Sequence, residues 1–137
     1  MIGYSLGGYT ALLNIGASPT LTELEGYCKQ DSADELLCSP WSAKRFSTAF
    51  SELGSSMNDR IGPVVLRGLS FGPFFTRDSL ADVKVPMRVF NAEKDEELDN
   101  RYHALHIASL LPRKVEHEVI SGEGHYAFML PCPQKLS

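Results

Sequence analysis

Three residues carry both the functional groups and the settings that nucleophilic chemistry needs: Ser5, Asp95 and His125, in that order along 137 residues. A serine hydroxyl is a poor nucleophile at neutral pH. It needs a base within reach, and the base needs an acid to orient it. Ser5 is the centre of Gly3-Tyr4-Ser5-Leu6-Gly7, a G-x-S-x-G run followed at once by an apolar stretch of helical character. This spacing predicts a strand that turns sharply into a helix and leaves the hydroxyl exposed on a strained backbone. Neighbours across such a turn approach too closely for side chains, so small residues are expected at Gly3 and Gly7, and Gly8 would let the helix pack tightly on the sheet. The start of that helix would offer Ser5 free N–H groups and a positive dipole end. Both favour an anionic intermediate.

The acid and the base each have rivals. Asp95 competes with Glu93, Glu96, Glu97 and Asp99. It is preferred because it follows an apolar run by one short turn, whereas Glu96 and Glu97 read as the solvated start of the next helix. His125 competes with His103, His106 and His117. The first two fall in a helical stretch, where a solvent-facing or capping histidine is the default. His117 falls mid-strand, out of reach of a site at a strand end. Only His125 sits in a Gly-flanked loop, Gly122-Glu123-Gly124-His125-Tyr126, that leaves an imidazole free to approach Ser5.

Bringing these three together is a task for parallel strands whose following loops share one edge. Residues 61–66, 87–91 and 115–120 are short, apolar or β-branched runs of strand length. Pro63 is awkward inside a central strand, so the first of them is expected to begin just after it. Residues 9–15 read as a helix apolar nearly all round, with Gly16 as its stop. Residues 100–111 read as a second helix ended by Pro112, and residues 128–130 as the start of a terminal one. Residues 18–56 carry no strand signal. Thr20 with Glu23 and Ser32 with Glu35 have capping-box spacing, and Pro40-Trp41 opens a stretch with Phe46, Phe50 and Leu53 at helical spacing before Gly54. This part is expected to be a helical excursion or partial cap within one domain, with Trp41 and the two phenylalanines in the core. The alternation of strand and helix predicts an α/β fold with a parallel sheet. In such sheets ligands sit at the carboxyl ends of the strands. Phe71, Phe74 and Phe75 fall in a loop at such an end, where they would line an apolar pocket or simply pack beneath it.

Composition narrows the classes. A formal charge of -4 with no basic stripe argues against nucleic-acid binding, and no apolar run is long enough to span a bilayer. Three cysteines without C-x-x-C spacing give no metal site. A Cys28–Cys38 disulfide is open to the chain in an oxidising compartment, with buried or free thiols as the default expectation.

The segments Gly3 through Ala11, Val85 through Asp95 and Gly122 through Tyr126 resemble the α/β-hydrolase superfamily. More narrowly, Gly7-Gly8-Tyr9-Thr10-Ala11, the Phe71-Gly72-Pro73-Phe74-Phe75 loop, and His125-Tyr126-Ala127-Phe128 through Pro131-Cys132-Pro133 resemble the dienelactone hydrolase-like group, which is related to platelet-activating-factor acetylhydrolase-type esterases. The resemblance spans nearly the whole chain, with residues 18–56 matching least. It implies a cofactor-free serine hydrolase acting on a small carboxylic ester or lactone. Ser5 would be the nucleophile, His125 the base, Asp95 its orienting acid, Leu6 an oxyanion donor, and Tyr4 and Phe71 substrate contacts. Dienelactone hydrolases proper carry cysteine as nucleophile, so a serine here favours general ester chemistry.

The departure from that pattern is at the start. The superfamily has several strands before the nucleophile, and the second oxyanion donor comes from a loop among them. Here the motif arrives at residue 5, so the chain is expected to correspond to the C-terminal half of such a fold, completed by a missing N-terminal half or by self-association. Two other readings share the same residues: a non-catalytic remnant or interaction module, and an acyltransferase that delivers the acyl group to an acceptor other than water.

Overall fold

The computed structural model describes residues 1–30, 34–52 and 56–129. Four strands, β1 (Ile2–Tyr4), β2 (Val64–Arg67), β3 (Met87–Ala92) and β4 (Glu116–Ile120), form one sheet in sequence order, every neighbouring pair parallel. The connections carry helices α1 (Leu6–Asn14), α2 (Leu24–Gln30), α3 (Glu35–Cys38), α4 (Pro40–Glu52) and α5 (Ala104–Leu110), with short 3-10 turns between β2 and β3. The chain is thus mixed α/β, a four-stranded parallel sheet flanked by helices. No helix among the described residues is long and apolar enough to cross a membrane.

The strands form where β-branched and apolar residues alternate inward. Val64 and Leu66 of β2 and Val89 of β3 are almost fully buried, under Leu12 of α1 and Ile107 of α5. Removing one such leucine from water contributes roughly 2 kcal/mol. The register runs Gly3, Leu66, Val89, His117 across the sheet, then Tyr4, Arg67, Phe90, Glu118. The segments that leave the carboxyl ends of β1, β3 and β4 therefore emerge side by side. β2 begins immediately after Pro63, whose carbonyl accepts the N-terminal ammonium at 2.8 Å. The outer edge strand β4 presents Glu116 and Glu118 to solvent, charges that discourage strand addition.

Residues 18–56 hold helices and no strand among those described, and they fold back on the sheet's helical layer. Leu24, Tyr27 and Leu37 are buried, and Phe46 and Phe50 pack with ring centroids 4.6 and 5.1 Å from Phe74. Trp41 does not join them and is 77 % exposed. At 100° per residue it lies about 140° around α4 from Phe46, so the face that buries the phenylalanines turns the indole outward. Leu53 and Gly54 lie outside the described residues.

Other boundaries shift for local reasons. The Thr20 hydroxyl accepts from the Thr22 N–H and pairs with its hydroxyl instead of capping a helix, and α2 begins at Leu24. Asp34 caps α3 by accepting the Leu37 N–H at 3.0 Å, while Ser32 lies outside the described residues. The helix expected from residue 100 begins at Ala104, because the Asp99 carboxylate takes the Arg101 N–H and holds a turn there. The terminal helix expected from Phe128 is instead a 3-10 turn, His125–Phe128, followed by extended backbone at Met129; Leu130 lies outside the described residues.

Cys28 and Cys38 are joined in a disulfide, contrary to the free thiols expected, and Cys132 is outside the described residues. The bond ties α2 to the end of α3 across a sequence separation of 10. By chain entropy, closing a loop of this size stabilises the fold by roughly 2–3 kcal/mol. Cys28→Ser is therefore expected to lower the melting temperature under non-reducing conditions by several degrees. Adding a reductant should bring the parent chain to the same value; equal melting of parent and variant in oxidising buffer would contradict this.

Candidate active site

Ser5 occupies the one-residue step between β1 and α1 at φ 50 and ψ -120, a conformation costly for a residue with a Cβ. It is over-determined from both sides. Its N–H donates to the Arg67 carbonyl at 3.0 Å and its carbonyl accepts from Gly8 N–H at 2.9 Å. A serine at a helix N-cap ordinarily turns its hydroxyl onto the helix's free N–H groups. Here it makes no such bond, and the hydroxyl faces His125 instead.

The glycines of the motif are not equivalent. A Cβ on Gly3 would lie 2.6 Å from the Gly7 carbonyl oxygen and 2.7 Å from the Gly8 Cα, so the turn closes only around a bare Cα. A Cβ on Gly8 would lie 2.7 Å from Leu69 Cδ1, in the loop after β2, so the helix start packs on that side chain only as glycine. Gly7, expected to be small for the same reason as Gly3, has open space where a Cβ would stand. The crowding runs from Gly3 onto the backbone of Gly7, not back from Gly7.

His125 enters from the loop after β4. Its Nε2 lies 3.1 Å from Ser5 Oγ and its Nδ1 lies 2.8 Å from Asp95 Oδ2. A carboxylate can only accept, so Nδ1 carries the proton and Nε2 presents its lone pair to the Ser5 hydroxyl. Asp95, in the loop after β3, has a fully buried side chain. Its other oxygen accepts the N–H groups of Glu97 at 3.0 Å and Leu98 at 2.9 Å, which fixes the carboxylate plane. All three expected residues are therefore brought together. Chemically, this chain of hydrogen bonds can draw a proton from a serine oxygen and hold the resulting imidazolium.

The other histidines do different work. His117 hydrogen-bonds Asn91 from mid-strand, and burial holds its pKa below the ordinary value. His106 Nε2 pairs with the Phe75 carbonyl at 3.0 Å. His103 stands at the N-cap position of α5 but its side chain makes no cap bond and does not face solvent: it is 2 % exposed, and its Nδ1 accepts the Gly72 N–H at 3.2 Å.

The three residues open into a cleft of about 970 Å³. Tyr4, Leu6 and Phe71 all line it. Tyr4 also steadies the histidine, donating to the His125 carbonyl at 3.2 Å with its ring 5.1 Å from the imidazole. Burial first, then the charges of Tyr126, Asp95, Glu96 and Glu97, hold its phenol above its ordinary pKa, so it stays a donor. Phe71 adopts a left-handed conformation, φ 62 and ψ 28, with its ring against Tyr9 and Phe46. Phe74 and Phe75 take the other course and are fully buried core. The Leu6 N–H lies in the first turn of α1, among those with no acceptor inside the helix.

Other contributors to the site were given no role there by the sequence. Gly68, at φ 51, sits where a Cβ would come within 3.2 Å of the His125 ring, so glycine makes room for the imidazole. Tyr27 of α2 and the 34–37 segment wall the far side of the cleft, and Tyr27 donates to Asp34 at 2.7 Å. The Ser70 hydroxyl, beside the cleft, is one of two buried side-chain polar atoms without a partner among the described residues. Glu96, taken for a solvated helix start, accepts the His125 main-chain N–H at 2.9 Å. That bond, foremost, holds its pKa below the ordinary carboxylate value. A glycine directly after a strand was the one available signal for Gly68; the others depend on long-range contact.

Among the described residues no group of His, Cys, Asp and Glu is arranged to hold a metal ion. Comparison with protein-family models, with curated proteins and with solved structures gives no match for this chain.

Proposed function

We propose that this chain is a serine hydrolase of α/β-hydrolase fold that cleaves a small carboxylic ester or lactone without a cofactor. The observation that carries the reading is the unbroken chain Ser5 Oγ, His125 Nε2, His125 Nδ1, Asp95 Oδ2, with links of 3.1 and 2.8 Å, built on a serine whose strained backbone keeps it from capping its own helix. The parallel sheet and the order serine, aspartate, histidine support the fold assignment.

In this reading Ser5 Oγ attacks the carbonyl carbon as its proton passes to His125 Nε2, and Asp95 stabilises the imidazolium. The negative charge gathers on the carbonyl oxygen beside the Leu6 N–H and the start of α1. Collapse breaks the bond to the alcohol oxygen, which leaves with the proton from His125. Water then repeats the sequence on the acyl-serine, giving up a proton to His125 and releasing the acid. A lactone follows the same path, its alcohol staying tethered to the acid.

The test is labelling with a serine-directed phosphonate, followed by peptide mapping. Labelling at Ser5, absent from Ser5→Ala, is the expected result. A folded sample that takes no label would overturn the reading and leave an interaction module or remnant in its place. A labelled enzyme that transfers acyl groups to added alcohols in preference to water would move it to the acyltransferases.

A further inference from the structure

We propose that Glu96 is a positioning residue, which holds His125 at hydrogen-bonding distance from Ser5 by gripping the histidine's main chain. The assignment rests on the hydrolytic reading of Ser5. The His125 imidazole is fixed at Nδ1 by Asp95 and its carbonyl accepts the Tyr4 hydroxyl, but the ring still pivots with the N–H side of its backbone unless that too is held. That backbone belongs to the short segment, residues 121–125, that leads from β4 into the 3-10 turn His125–Phe128. The loop is bonded from one side by four consecutive residues. Glu93 Oε2 accepts the Ser121 hydroxyl at 2.8 Å and the Gly122 N–H at 2.6 Å. Lys94 N–H donates to the Glu123 carbonyl at 2.9 Å. Asp95 takes the ring, and Glu96 Oε2 takes the His125 N–H at 2.9 Å.

Asp95 and Glu96 are adjacent, so one short segment sets both the ring and the main chain of the same histidine. Neither can shift towards or away from Ser5 without stretching a bond to the other. Gly124 completes the device. A Cβ there would collide with Glu96 Oε2, in the space the carboxylate occupies. The Gly124 backbone, at φ -99 and ψ -177, is open to any residue, so its need for glycine comes from Glu96 and not from strain.

Three variants test the assignment: Glu96→Ala, Glu96→Gln, which keeps an acceptor oxygen, and Gly124→Ala. Two signals are read, p-nitrophenyl acetate hydrolysis and the low-field NMR signal of the His125 Nδ1 proton. Misplacing a reacting group by about 1 Å costs on the order of 10²-fold in rate. Glu96→Ala and Gly124→Ala are expected to lose kcat towards that extent with KM and melting temperature little changed, and to lose the proton signal to solvent exchange. Glu96→Gln should recover most of both. Parent-like kcat and an intact signal in Glu96→Ala would overturn the role while leaving the hydrolytic reading in place. No hydrolysis by the parent, with a proton signal that disappears in Glu96→Ala, would remove the hydrolytic reading and leave the grip on His125 standing.

Discussion

Asp95→Asn is expected to slow the reaction of Ser5 with a phosphonate by about 10⁴-fold while leaving the fold intact. The asparagine oxygen can still accept the N–H groups of Glu97 and Leu98, which Asp95 Oδ1 accepts now at 3.0 and 2.9 Å. Its amide nitrogen must then stand where Oδ2 stood, 2.8 Å from His125 Nδ1, and an NH2 group only donates. To accept that bond the imidazole must move its proton to Nε2. The nitrogen facing Ser5 then carries hydrogen and cannot take another. The loss comes from the wrong tautomer and not from a displaced side chain, so the melting temperature should stay near that of the parent. His125→Ala removes the base outright and should fall to a similar rate. The two substitutions combined should cost little more than either alone, because the residues act as a unit. A double variant whose losses multiply would mean that His125 and Asp95 act separately. The decisive measurement is the second-order rate of phosphonate labelling for parent, single and double variants.

Gly3→Ala is expected to be the most destabilising single-methyl change in the serine motif. The added Cβ would meet the Gly7 carbonyl oxygen at 2.6 Å and the Gly8 Cα at 2.7 Å. Both are backbone, so no rotamer change relieves the contact, and α1 must move away from β1. That movement would strip the Ser5 N–H from the Arg67 carbonyl and the helix from its seat on β2. A cost of about 3 kcal/mol or more follows from overpacking against backbone. Gly7→Ala is the informative partner. Its Cβ has open space and it sits in the first turn of α1, so it should be neutral, or stabilising by up to about 1 kcal/mol. Urea denaturation of both variants reads the difference. Equal midpoints would mean that the turn does not need the close approach seen at Gly3.

Much of the architecture was legible in the chain itself because it depends on local signals. The apolar, β-branched runs in residues 61–66 and 87–91, the strand start expected just after Pro63 and the apolar run after Ser5 are short-range patterns, and β2, β3 and α1 formed where those patterns lie. The order of the three polar residues, each just after a strand, was enough to bring them to one edge once the strands paired in parallel. The misreadings occur where a residue's role depends on what lies opposite it. Trp41 had the composition of a core residue, but its position on α4 relative to Phe46 put it outside. Thr20 had the spacing of a cap, but its own neighbour Thr22 took the bond.

The sequence by itself determined the parallel α/β class and the places, each just after a strand, from which Ser5, Asp95 and His125 converge. Periodicity and turn chemistry are carried by neighbouring residues, and strand ends follow from them. Only the tertiary structure decided that Gly3 and not Gly7 needs to be bare, that Cys28 and Cys38 are bonded, that His103 is buried, and that Glu96 holds the His125 main chain. Each of these is a distance between segments remote in sequence or folded sharply upon themselves. Such a distance is set by how the sheet, the helices and the loops close on one another, which no local pattern encodes.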